Sequence, residues 1–403
     1  MIHIALLGFG VVGSGTAEVL TQNKAIIEKK VGQSVSIKYI LDLRDFPDSP
    51  FGSLVVHDFN TILNDPEVTL VAEMMGGSHP AYDFTLACLK AGKSVVTSNK
   101  EVVANFGTEL LAVAREHGVS YLFEASVGGG IPIIRPLRED LASNNVTSIS
   151  GILNGTTNYI LTKMDLEGAS FADVLKDAQA KGYAEANPAA DVEGLDAARK
   201  IVILAAMAFG KRIDPNTILC EGITAITSAD SELARDMGYA IKLIGYTAKV
   251  NGRILAMVSP RLVPRDNPIF GVSYVNNGIL VSADMVGQVM FYGPGAGKLP
   301  TASAVTGDLV DVMAHTPAGI ISPVWADAKA DEIADPADYV CRHLVVLDAP
   351  LSAESDIAAR FTLNAVHFTE GRFSFITEEL SEAAVKESIA AVGYPLVTRI
   401  RLL

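Results

Sequence analysis

The chain has 403 residues and a formal net charge of −14; 49% of its residues are hydrophobic and 19% are charged. About two to three domains fit that length, and the composition predicts a globular protein with a large core. The acidic balance disfavours nucleic acid and anionic membranes as partners, while the three scattered cysteines, Cys88, Cys220 and Cys341, suit neither a disulfide framework nor a metal cluster.

In chain order, Ile2 to Leu7 is a near-continuous apolar run, the pattern of a parallel strand buried on both faces. Gly8, Gly10 and Gly13 then spell G-x-G-x-x-G ahead of a helix expected to run toward Lys29. The first glycine permits a tight turn, the second lets a pyrophosphate approach the backbone, and the third lets helix pack closely on strand. The helix N-terminus attracts the phosphates. Strand, turn and helix supply the context a bare match lacks, so Gly8, Phe9, Gly10, Val11, Val12 and Gly13 form a candidate dinucleotide site. A second strand ends at Leu41, with Asp42 and Arg44 behind it. An acid there hydrogen-bonds the ribose of NAD, whereas an arginine receives the 2′-phosphate of NADP, so these residues leave the choice open.

A third strand leads to Gly76-Gly77, and a fourth to Asn99-Lys100. Ligands of open parallel sheets lie beyond the carboxyl ends of the strands, which makes Gly76, Gly77 and Lys100 candidates by position. A solvated loop lysine is the alternative for Lys100. The next strand is expected to run to Glu124, followed by Gly128 to Gly130. Bare carbonyls there could hold a hard cation, or the glycines could serve as a crossover between domains. A strand, a turn at Asn154-Gly155 and a helix capped by Thr156 or Thr157 come next. The region from about Pro132 to Pro300 mixes strands with helices and reads as a second, α+β domain.

Ala178 to Lys200 holds the densest chemistry. Asp196 and Lys200 are four apart at the start of a predicted helix and share one face. Glu185 and Asp191 precede them in a loop punctuated by Gly182, Pro188 and Gly194. After Lys200 comes IVILAAMAF, apolar on every side, as in a helix buried all round. Such a run is too short to cross a bilayer. A lysine at the mouth of a buried helix is desolvated, which favours its neutral form and suits it to accept a proton. Taken alone, an i,i+4 pair is usually a surface salt bridge. The two further carboxylates at the same helix start point instead to a ligand or cation that balances them.

These residues together resemble the homoserine dehydrogenase family. The resemblance rests on Gly8–Gly15, Thr97–Ala104, Glu124–Leu137 and Ala178–Lys200, and Tyr292–Asp311 resembles the family's return segment beside the nicotinamide. It implies an α/β chain with a Rossmann-type dinucleotide-binding domain over 1–131, completed by the return segment 301–316. A catalytic and dimerisation domain over 132–300 follows. The implied activity is the NAD(P)-dependent interconversion of L-homoserine and L-aspartate 4-semialdehyde in threonine and methionine biosynthesis. By likeness, Lys200 is the general acid/base, Asp196 holds it and the substrate, and Lys100 is a second cationic group between cofactor and substrate. Glu185 would bind the substrate's ammonium group, with Asp191 in the same pocket and Thr156 beside it. Gly182 and Gly297 would approach the nicotinamide end, Gly182 also bordering the substrate. A structural sodium ion would map onto the carbonyls of Glu124, Val127, Gly129 and Ile131. No zinc is expected, since no His/Cys spacing offers one.

The tail, from 320 to 403, opens after Pro317 on a linker-like stretch, ISPVWADAKADEIADPAD, and then reads as strand, short helix, a hairpin turning at Glu370-Gly371, helix and strand. That βαββαβ order resembles the ACT domain of many bacterial homoserine dehydrogenases; a plain dimerisation or capping module is the alternative. Ligand-binding ACT domains usually turn through proline and glycine after the first strand, but here Leu351 follows Pro350. The remaining expectations are a homo-oligomer, dimer or tetramer, and a cytoplasmic location, since no secretory signal is read at the N-terminus. A different nicotinamide-dependent dehydrogenase and a catalytically dead NAD-binding sensor stay open as other classes. The intact Asp196/Lys200 pair with Lys100 speaks against the second.

Overall fold

The computed structural model describes residues 1–315, 322–369 and 371–403. Thr316 at the end of the return segment, the start of the tail at 320 and the turn residue Glu370 lie outside them. The chain divides into two compact units, one of 1–146, 202–216 and 291–328, the other of 147–201, 217–290 and 329–403. Of the tail, residues 329–403 fall in the second unit and 322–328 in the first.

The first unit is built on six parallel strands: β1 (Ile2–Leu7), β2 (Val35–Leu41), β3 (Val55–Val56), β4 (Val68–Glu73), β5 (Ser94–Thr97) and β6 (Tyr121–Leu122). Their order, β3-β2-β1-β4-β5-β6, reverses at β1, as in a doubly wound dinucleotide fold. Apolar β1 and β4 supply Ile4, Leu6, Leu70 and Ala72 to a core completed by Val305 and Leu309 of helix Lys298–His315. The first helix stops at Gln22, since Asn23 leaves the helical region (φ −98°, ψ 15°), and a second runs from Lys24 to Val31. It therefore breaks before Lys29. The strand expected to reach Glu124 ends at Leu122. Buried Glu124 instead starts a 3₁₀ turn, and its carboxylate accepts the backbone N–H groups of Ile133, Ile134 and Arg135. These are donors at the start of helix Ile134–Arg138, where a carboxylate is favoured. Within the linker-like stretch Trp325 is packed rather than free: it is buried with its ring centroid 5.1 Å from that of Phe123, and a methyl on Gly107 would fall 2.6 Å from its ring.

In the second unit, Val146–Ile152 pairs with Tyr239–Val250, which forms a long antiparallel ladder with Arg253–Pro264. Arg253–Pro264 then pairs in parallel with the last strand of the chain, Leu396–Leu402. That strand continues into the tail sheet, ordered Leu396–Leu402, His343–Asp348, Arg372–Ile376, Asn364–Thr369. Val345, Leu347, Phe373 and Phe375 face Ile357, Val385 and Ile389 of the two tail helices. The tail thus has the β-α-β-β-α-β arrangement that element order anticipates. Among the described residues, no helix is long and apolar enough to cross a membrane.

Candidate active site

The glycine turn of the first unit has the geometry its spacing predicts. Gly8 is left-handed (φ +91°), with Met74 O 3.0 Å from where a Cβ would stand. A Cβ on Gly13 would lie 2.0 Å from Gly8 O, whereas one on Gly10 would meet no atom within 4 Å. Gly8 and Gly13 are glycine because the protein leaves no room. Gly10 is open on the side where a phosphate would come, so the turn fits a dinucleotide.

A cavity of about 490 Å³ continues from this turn, lined by Gly8, Gly10, Asp42, Arg44, Gly76 and Phe84 among others. Asp42 and Arg44 do not act separately: Arg44 Nε donates to Asp42 Oδ1 at 3.0 Å and its terminal nitrogen to Oδ2 at 3.1 Å. Phe9 N–H gives Oδ2 a further bond at 2.8 Å. The Arg44 guanidinium is the main cause that holds the Asp42 carboxyl down at about 2. His57 also lines the cavity, with Nδ1 2.7 Å from Asp42 O. That contact, helped by the Asp45 carboxylate and opposed by burial, raises the imidazole above its usual range. Sequence reasoning missed His57, which is 15 residues from Asp42 with no local signal.

Gly76 and Gly77 are both left-handed (φ +78° and +70°), and the Asn99 amide donates to Gly77 O at 2.7 Å. Asn99 also caps the helix that Lys100 opens, accepting from Glu101 N and Val102 N. The candidate positions after β4 and β5 are therefore brought together. Gly129 and Gly130 press against residues 294–300: a Cβ on Gly129 would sit 2.3 Å from Gly295 O, and one on Gly130 would sit 2.7 Å from Pro300. Gly297 (φ +130°) lies in the same segment. Glu124, Val127, Gly129 and Ile131 are all buried.

In the second unit Lys200 is 8% exposed and Asp196 4%. Lys200 Nζ donates to Asp196 Oδ2 at 2.8 Å and to the Leu153 carbonyl at 2.7 Å. A carboxylate and a carbonyl thus both accept from this one buried nitrogen and fix its position. Asn154, the residue after Leu153, is the centre that sequence reasoning read only as a turn. Its amide nitrogen donates to Asp191 Oδ1 at 2.7 Å and Asp196 Oδ2 at 2.9 Å. Its Oδ1 accepts from Thr157 N, so Asn154 caps helix Gly155–Glu167 in place of the expected threonines. An asparagine ahead of Gly-Thr-Thr is itself a cap signal. Thr156 donates its hydroxyl to Tyr183 O at 2.6 Å and so ties down the turn in which left-handed Gly182 (φ +75°) ends helix Phe171–Ala180. Thr156 is thereby a support for that turn. Glu185 is exposed.

Residues 8–124 match the homoserine dehydrogenase NAD binding domain, and residues 132–310 match the homoserine dehydrogenase domain. The homoserine dehydrogenase of Synechocystis sp. is 44% identical over 319 residues, 77% of this chain and 73% of that protein. That of Bacillus subtilis is 38% identical over 391 residues, 95% of this chain and 86% of its own. The chain belongs to the homoserine dehydrogenase family. It is an oxidoreductase of that family, with an NAD-binding parallel sheet and a catalytic domain. The structure also resembles a homoserine dehydrogenase from Thiobacillus denitrificans, with a TM-score of 0.91 at 35% identity over 100% of this chain and 98% of that one. A hyperthermophilic archaeal homoserine dehydrogenase mutant in complex with NADPH gives a TM-score of 0.66 at 28% identity, over 77% of this chain and 97% of that one.

Proposed function

We propose that this chain interconverts L-homoserine and L-aspartate 4-semialdehyde with NAD(P), and that Lys200 is its general acid/base. One observation carries the reading: a buried lysine nitrogen is aimed by a carboxylate and a carbonyl, 2.8 and 2.7 Å away, at the head of an apolar helix. When bound at the glycine turn, the nicotinamide cofactor supplies the redox chemistry. As the neutral amine Lys200 takes the substrate hydroxyl proton in one direction, and as the ammonium so formed it returns that proton in the other. As an ammonium it also stabilises the developing alkoxide. Asp196 holds Lys200 and the substrate, and Glu185 binds the substrate's ammonium group, with Asp191 in the same pocket. Gly182 and Gly297 border the nicotinamide, and Thr156 supports the Gly182 turn. Lys100 adds a second cation. Arg44 favours NADP by its charge, with NAD also used.

A sodium ion at the carbonyls of Glu124, Val127, Gly129 and Ile131 belongs to the same reading, supported by the burial of all four residues. So do an ACT-like tail, supported by its strand order, a homo-oligomer, a cytoplasmic location, and domain limits of 1–131 with 301–316, 132–300 and 320–403. Lys200→Ala tests the central claim. Turnover is expected to fall by about 10²–10⁴-fold while NADP binding, followed by fluorescence, stays close to the parent's. A variant that kept half the parental rate would remove Lys200 from the role.

A further inference from the structure

The last strand, Leu396–Leu402, is joined by an ion pair to a segment that packs against the turn in front of the acid–base helix. Arg401 is 2% exposed, and its two terminal nitrogens grip both carboxylate oxygens of Glu221, one of them at 3.2 Å. Its Nε donates to Glu382, which Arg399 also contacts. Two guanidinium groups therefore meet one tail carboxylate, and Glu221, from outside the tail, supplies the second negative charge. Such a two-point fork fixes orientation as well as charge.

Glu221 does not stand on a free loop. Its N–H bonds Val258 O at 2.8 Å, and its neighbours are pressed against residues 192–194. Cys220 Sγ lies 3.3 Å from Glu193 O, and Ile223 N donates to Val192 O at 2.8 Å. A Cβ on Gly222 would fall 2.2 Å from Val192 O and 2.6 Å from Glu193 Cα. From the other side, a Cβ on left-handed Gly194 would lie 3.1 Å from both Cys220 Sγ and Val258 Cγ1. Gly194 O accepts the N–H of Ala198 at 2.9 Å, so this turn sets the first turn of the helix that holds Asp196 and Lys200. Close-packed contacts of this kind transmit displacement rather than absorb it.

We propose that Glu221 and Arg401 are positioning residues for the acid–base pair: the C-terminal strand holds the 220–223 segment, which sets the 192–194 turn and with it the aim of Asp196 and Lys200. The inference rests on the acid/base reading of Lys200. It makes the tail part of the catalytic geometry whether or not it binds an effector.

The test uses the full chain with Glu221→Gln, Glu221→Asp, Arg401→Lys and the Glu221→Gln/Arg401→Lys double variant, assayed beside Lys200→Ala. Glu221→Gln keeps the shape of the side chain and removes its charge. It is expected to lower kcat about tenfold, within what small misplacements cost, and to shift the pH profile of kcat, with KM for NADP changed less than about twofold. Glu221→Asp should recover part of the loss. The double variant should be no slower than the slower single variant, since both break one link. Melting temperature reports separately on folding, and Arg401→Lys, which keeps the charge, serves if Glu221→Gln does not fold. Parental kcat and pH profile in the folded variants, or additive losses in the double variant, would overturn the proposal. If Lys200→Ala stays active, the acid/base reading fails instead, whatever the Glu221 variants do.

Discussion

The side-chain amide of Asn154 lies 2.9 Å from the carboxylate of Asp196, and its nitrogen also meets Asp191 at 2.7 Å. One residue thus sets the spacing of two acids while capping the helix that follows it. Asn154→Ala removes both roles. Loss of the cap should cost about 1 kcal/mol, read as a lower melting temperature. The two acids, no longer held by a shared donor, should bring kcat down roughly tenfold or more. Asn154→Asp places a third carboxylate there and should be slower still. Parental kinetics in both variants would show that the amide is a cap and nothing else.

Arg44 and Asp42 form a two-point pair, with the arginine largely exposed at the cavity mouth. Arg44→Ala should raise KM for NADP roughly tenfold, the order expected for a charged hydrogen bond. KM for NAD should change little or fall, because Asp42 is then released to accept from the ribose hydroxyls. An equal rise for both cofactors would mean that Arg44 does not touch the 2′-phosphate.

The turn after the first tail strand carries Leu351, 54% exposed, directly behind Pro350. The helix beyond it, Glu354–Ala358, is five residues long. A side chain at that position obstructs close approach of a carboxylate to the backbone, and so short a helix shrinks the groove beside it. L-threonine at low millimolar levels is therefore expected to leave activity and melting temperature nearly unchanged. Clear inhibition with a raised melting temperature would identify the tail as a working sensor.

Lys242 is buried, donating to Val272 O at 2.7 Å. Burial, opposed by the Asp165 carboxylate, pulls its ammonium down to about 8. The folded-state value is thus below that of the unfolded chain, so between about pH 8 and 10.5 the unfolded chain binds more protons. The contribution of Lys242 to stability is unfavourable below about pH 8 and vanishes above pH 10.5, rising across that window by about 3 kcal/mol at most. Lys242→Met cannot titrate. The difference in melting temperature between parent and variant should therefore move in the parent's favour from pH 7.5 to pH 10, and a constant difference would exclude the effect.

Short-range signals were legible in the sequence. The glycine turn declares itself because each glycine answers a local backbone need, and the tail's elements appear in order because period and turn residues act over a few positions. The i,i+4 spacing of Asp196 and Lys200 places them on one face before any partner is known. Tertiary packing alone decided what those groups touch. Leu153 O is 47 residues from Lys200, Asp196 is 42 from Asn154, and Arg401 is 180 from Glu221. Glu124 looked like a strand end, yet its carboxylate serves three N–H groups nine to eleven residues on. The linker-like stretch hid a tryptophan that needs Gly107 and Phe123 to bury it. Periodicity records which way a side chain points within its own element. The partner it finds there depends on which distant strand or helix end the folded core brings within about 3 Å, the reach of a hydrogen bond.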